Sequence, residues 1–222
     1  MEHNHEERIN QIVKLLSFKA STKQAVYRNT LALFKRLKKV AASIVKEIDN
    51  RIEDEDVEVS YINVSEFEFQ IKFSGDLLVF SMHSNVMTFP KEHILHKSPY
   101  IQEDSRREFF GSIVVYNFLA DSLKYKRLHD PGYLLARMFL NIDNHFYIEG
   151  VRQLNFLHPD IAQNKLKHEI LCQFIESSMI VSMEIDSEMP NFEQERVISV
   201  GQKLSRGMLG GIQKVGFKMS AS

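Results

Sequence analysis

Between Glu66 and Ser74 polar and apolar residues alternate without a break, with Phe67, Phe69, Ile71 and Phe73 on one side and Glu66, Glu68, Gln70, Lys72 and Ser74 on the other. A period of two belongs to an extended strand with one dry and one wet face. Such a strand sits in an antiparallel sheet, and its phenylalanine face has to be covered by another part of the chain. Val57, Val59 and Tyr61 show the same parity one strand earlier, and Leu77 to Met82 follows the turn signal Ser74-Gly75-Asp76. The spacing predicts a meander of at least three strands within residues 57–89.

Strand character resumes after a long aperiodic stretch. Pro90 to Arg107 has no clear period, and loops of that length in a compact domain are usually functional or mobile. Ile113 to Phe118 is nearly continuous apolar sequence, suited to a central strand, while Leu123 to Lys126 alternates like an edge strand. His129-Asp130-Pro131-Gly132 reads as a turn and Tyr133 to Ile142 as a strand, with a short helix over Leu134 to Leu140 as the alternative. Asp143-Asn144 then makes a hairpin turn into a returning strand from Phe146 to Val151.

The cover for this sheet comes from helical periodicity at either end. Ile9, Ile12, Val13, Leu16 and Phe18 lie near helical spacing and predict a first short helix, ended by Ser21-Thr22 acting as the cap of the next. In that next helix Val26, Thr30, Leu33, Leu37, Val40, Ile44 and Ile48 form one stripe, running to a boundary near Glu53, a span of about 45 Å. The acids Asp49, Glu53, Asp54, Glu55 and Asp56 mark that end, because negative charge is unfavourable beside terminal carbonyls. Asp160 reads as the cap of a late helix in which Leu166, Ile170, Phe174, Ser177 and Val181 share a face.

The expected fold class is therefore α+β: a mainly antiparallel sheet of six or seven strands with two N-terminal helices and one long C-terminal helix packed on it. Residues 1–200 are expected to form a single α+β domain. It would divide into a basic helical portion (1–56), the sheet (57–151) and the late helix (160–187), with a further strand over Phe192 to Val200. Residues 201–222 then make a glycine-rich basic tail.

Composition narrows the setting. No run reaches the roughly 18 apolar residues that a membrane-spanning helix needs, and the N-terminus lacks the basic and apolar regions of a secretory signal. The lone Cys172 excludes an intrachain disulfide and reads as a small buried hydrophobe, so a cytoplasmic address is expected. The net charge of −1 conceals a segregation: ten Lys and Arg and no acid lie between Glu7 and Glu47, and Lys203, Arg206, Lys214 and Lys218 follow the last acid.

No nucleotide-binding glycine loop, Walker lysine, zinc spacing, serine elbow or metalloprotease helix is present in the sequence. The candidate for enzymatic chemistry is the histidine-containing stretch 83–104, which holds Glu92, His93, His96 and Tyr100, and in which at least His83, His93 and a carboxylate such as Glu92 or Asp104 would have to converge. The competing reading is a polar loop with solvent-facing histidines, and turn chemistry likewise accounts for His129-Asp130 and for Asn144-His145. No catalytic residue, metal site or cofactor is assigned.

The sharper feature is cationic. Lys35, Arg36, Lys38 and Lys39 occupy the faces of the long helix left clear by its apolar stripe, and Lys214 and Lys218 flank a small amphipathic pattern of Met208, Ile212, Val215 and Met219. These six cations are the candidate partner-binding residues. A solvated face, or pairing with the chain's own acidic middle, is the competing reading.

The expectation is a non-catalytic binding or interaction protein that presents a basic helical face to an anionic or protein partner. That partner could be a second copy of the chain or an anionic membrane surface, and a small apolar ligand could lie between sheet and helix. Sequence-specific nucleic-acid reading is disfavoured because aromatics are not interleaved with the cations. The alternatives are an enzyme using the 83–104 loop and a structural homo-oligomeric scaffold.

Overall fold

The computed structural model describes residues 2–128, 130–155 and 160–185. Six strands follow one another in the sheet in chain order, each antiparallel to the next: β1 (Val59–Ser65), β2 (Glu68–Phe73), β3 (Asp76–Met82), β4 (Gly111–Leu119), β5 (Tyr133–Leu140) and β6 (Phe146–Gly150). The alternation in β2 sets the register. Phe69 lies opposite Asn63 of β1 and Phe80 of β3, so the dry face of each strand falls on the same side. Two tight turns carry non-glycine residues at positive φ, Ser74 at 52° and Asn144 at 61°, where short polar side chains are tolerated.

On the dry side Phe69 stacks on Phe80 at 4.5 Å between ring centroids and meets Phe34 of the long helix at 5.4 Å, and Phe80 meets Phe174 of the late helix edge-on at 6.3 Å. All four rings are fully buried. Two helices thus lie side by side on one sheet face, interlocked through aromatic side chains.

The N-terminal region differs from the expectation of two helices. Helix α1 (Glu2–Leu15) continues through a π turn (Leu16–Ala20) directly into α2 (Ser21–Asp49), giving one long helix of about 70 Å. Ser21-Thr22 does not cap anything. Ser21 is helical, and the Thr22 hydroxyl donates backward to the Phe18 carbonyl at 2.7 Å instead of accepting a forward amide.

The late helix is also corrected. Helix α5 runs over His168–Met183, 16 residues, and not from Asp160. Asp160 caps only a local turn, accepting from the Ala162 amide at 2.9 Å, and the chain that follows pairs with the start of β6 through Phe146 N–H donating to the Asn164 carbonyl. Extended pairing there leaves no helical backbone until after Lys167. Leu123 to Lys126 is no edge strand either, since Ala120–Lys124 turns helically (α4) at the end of β4. The expected strand at 192–200 and the tail 201–222 lie outside the described residues.

The second face of the sheet is covered in part, over Phe110 and β5–β6, while Ile62 and Val64 of β1 stay exposed. The 90–107 stretch folds into the 3-10 turns Ile94–Lys97 and Ser105–Glu108 around the short helix α3 (Pro99–Gln102). Leu95, Ile101 and Ile161 pack with Phe110 and Phe139 in a smaller apolar cluster there. Asymmetric covering follows: helices on one side, a strap of short turns on the other. Gly111 marks the closest approach of helix to sheet, because a Cβ there would stand 2.0 Å from the Thr30 hydroxyl.

Replacing the central ring is the direct test of this core. Phe69→Ala is expected to lower unfolding free energy by about 3–5 kcal/mol in denaturant titration, a loss that combines transfer and cavity terms. A loss below about 1 kcal/mol would mean that the ring is not the packing centre described.

Candidate interaction surface

Three surface features could carry function: the projecting N-terminal helix, the basic ridge, and the strap with its histidines. The helix is the most unusual. Every residue from Asn4 to Lys19 is exposed, and burial begins only at Thr22. Ile9, Ile12, Val13, Leu15, Leu16 and Phe18 stand between 44 and 59% exposed. Ile9, Ile12, Val13 and Leu16 are spaced i, i+3, i+4, i+7 and therefore share one helical face. The projecting part is about 27 Å long. Among the described residues α1 is held through its continuity with α2.

The basic ridge divides into two pairs. Lys35 meets Glu66 of the β1–β2 turn at 3.3 Å. Lys38 donates to Asn63 Oδ1 at 2.8 Å and to the Ser65 carbonyl, and sits 5.3 Å above the Phe34 ring. Burial pulls the Lys38 pKa down, opposed by Glu66 and assisted by the neighbouring Lys35. These two cations staple the helix to the first hairpin. Arg36 and Lys39 are exposed and make no hydrogen bond or ion pair among the described residues. Lys214 and Lys218 lie outside the described residues.

The histidines of the strap do not gather. His83 accepts the Asn85 amide at 3.1 Å, and His96 Nε2 faces the Phe89 carbonyl at 3.1 Å. His145 stacks on Tyr100 at 4.7 Å, with its Nδ1 2.9 Å from the Ile161 carbonyl. His93 accepts the Leu95 amide at Nδ1, which leaves the proton on Nε2 to be donated to Glu149 Oε1 at 3.3 Å. Its ring stacks on Phe89 at 4.1 Å. The other carboxyl oxygen of Glu149 accepts from Arg137. These groups edge a shallow cavity of about 370 Å³, walled by Phe89, Phe110 and Phe139. Among the described residues no group of three or more His, Cys, Asp or Glu is placed to hold a metal ion.

Tyr100 is the strap's anchor. Its hydroxyl donates to Asp143 Oδ2 at 3.2 Å and accepts from Asn141 Nδ2 at 3.1 Å, while the Arg107 guanidinium lies 4.1 Å from its ring centroid. Arg107 in turn donates to Asp143 at 2.7 Å and to the Tyr100 carbonyl at 2.7 Å. Burial, with the Asp143 charge adding to it and the Asn141 bond opposing, pushes the Tyr100 phenol up to about 12.

Of the six cations singled out from sequence, Lys35 and Lys38 are engaged within the chain and Arg36 and Lys39 face solvent. Sequence reasoning recognised the helical spacing of Ile9 to Phe18 without recognising its exposure. It did not single out Arg137 and Glu149, whose positions on neighbouring strands depend on sheet register. Compared with known protein families, curated proteins and solved structures, the chain matches none.

Two measurements check this geometry. A phenol with a raised pKa favours the protonated, folded form, so Tyr100 should contribute stability that is complete below about pH 10 and lost as pH rises from there through about 12. Burial also raises Tyr61 and Tyr147, so ultraviolet titration should show several late-ionising tyrosines, and Tyr100→Phe should remove one that ionises near about 12. His93→Ala should speed hydrogen exchange at the Leu95 amide while leaving β3 and β4 amides unchanged. Equal acceleration across the sheet would show that His93 supports the core and not the strap.

Proposed function

We propose that this chain is a non-catalytic interaction protein whose docking element is the projecting helix α1, with Arg36 and Lys39 as a cationic flank further along the same helix. The observation that carries this reading is the run of six large apolar side chains left exposed from Ile9 to Phe18. Apolar surface grouped on one helix face is unfavourable in water and marks sites where another molecule excludes it. A helix of this length also gains little stability alone, so packing of its apolar face is what would hold it formed.

Two further observations favour interaction over the alternatives. His83, His93, His96 and His145 are each engaged in a different contact, which supports a strap-fastening role more than a shared catalytic centre. The space between sheet and helices is filled by Phe34, Phe69, Phe80 and Phe174, which favours an external docking surface over an apolar ligand held inside. The partner proposed is a protein helix or groove that buries the Ile9, Ile12, Val13 and Leu16 face.

Site-specific photocrosslinking in cells tests the reading. A benzophenone side chain in place of Ser17, beside Leu16, should give a discrete protein adduct, and the same group in place of the exposed Glu55 should not. Adding Ile12→Asp should abolish the Ser17 adduct. Equal labelling from both positions, or an adduct indifferent to Ile12→Asp, would overturn it.

A further inference from the structure

Resting on that reading of α1 as a docking element, we infer that its occupant is the α1 helix of a second copy of this chain, packed antiparallel about a twofold axis between Ile12 and Val13. The apolar face is arranged symmetrically about that point: Ile12 and Val13 flank it, and Ile9 and Leu16 lie equally far on either side. The net charge reverses sign about the same point. On the N-terminal side Glu2, Glu6 and Glu7 outnumber Arg8, on the other side Lys14 and Lys19 stand without an acid, and Glu6 and Lys19 are equidistant from the centre.

A surface that is apolar and symmetric in the middle but opposite in charge at its ends is complementary to itself only when turned end for end. In the antiparallel arrangement the acidic end of each copy meets the basic end of the other, and the two helix dipoles oppose. In a parallel arrangement glutamates would face glutamates and lysines would face lysines. The reach of the helix agrees. Residues 4–19 are exposed and burial begins at Thr22, so the centre of the apolar stripe is also close to the centre of the projecting segment. Full overlap about that centre then sets Asn4 of each copy opposite Ser21 of the other, one residue before burial begins.

The full chain and two single-charge variants test the orientation as well as the association. In sedimentation equilibrium over about a hundredfold range of concentration the natural chain is expected to shift from monomer to dimer mass. Glu6→Lys and Lys19→Glu each place two like-charged pairs in the dimer and should weaken association about tenfold. Mixing the two variants should restore it, because each end of the mixed dimer then sets one lysine against one glutamate; the double variant E6K/K19E should also dimerise as the natural chain does. Both positions are exposed, and unchanged denaturation midpoints would show that the fold is intact. Weakened dimers that mixing fails to rescue would overturn the antiparallel register. Monomer mass at every concentration would overturn the second copy, and an adduct from Ser17 to a different protein would then leave the proposed docking function standing. Loss of every Ile12-dependent adduct would remove that function as well.

Discussion

The burial of one phenylalanine face governs this structure. Phe69 stacks on Phe80, and those two rings reach Phe34 on α2 and Phe174 on α5, so four aromatic side chains join sheet, long helix and late helix in one packing unit. Each ring removes a large apolar area from water, and the offset and edge-on arrangements suit the ring quadrupoles. The meander register follows from it, because a one-residue slip of β2 would turn Phe69, Ile71 and Phe73 to the wrong side.

A six-stranded sheet covered on one side leaves the other to be dealt with, and the chain uses the 90–107 strap for that purpose. The strap contains little regular structure. It is held by side-chain contacts: Tyr100 and Arg107 on the β5–β6 turn, His93 on Glu149, and apolar packing of Leu95 and Ile101 against Phe110 and Phe139. Of the ionisable residues that look in sequence like a candidate active site, His93 and Tyr100 bond to the β5–β6 hairpin and His83 and His96 to nearby backbone, so these four have a mechanical explanation.

The same logic isolates what is unusual. The core-facing apolar residues of the sheet, of α2 and of α5 are buried within the chain, and those left exposed there, such as Ile62, Val64, Ile180 and Met183, lie apart from the core. Helix α1, in contrast, buries none of its apolar side chains among the described residues. Most of the cations on the long helix beyond α1 also have a local explanation or a solvated one, with Lys35 and Lys38 fastening the first hairpin. The proposed function therefore rests on the contrast between a sheet whose phenylalanine face is buried and a helix about 27 Å long that the described residues leave uncovered.

Periodicity was enough to establish the antiparallel sheet, its turns at Ser74-Gly75 and Asp143-Asn144, and the core stripe of α2, because these depend on residues close in sequence and on fixed geometric repeats of two and 3.6. It could not separate α1 from α2 correctly, since Ser21-Thr22 has the composition of a cap and only the backbone decides whether a hydroxyl accepts forward or donates back. It misplaced the start of α5 because Asp160 caps a local turn and residues 164–166 after it are drawn into pairing beside the start of β6, a long-range interaction. The pairing of His93 with Glu149 and Arg137 was equally out of reach, being set by strand register across distant segments. Helical spacing at Ile9 to Leu16 was legible in the residues alone. That this face meets no other part of the described chain was decided only by the tertiary structure, because exposure belongs to the packed whole and not to any local pattern.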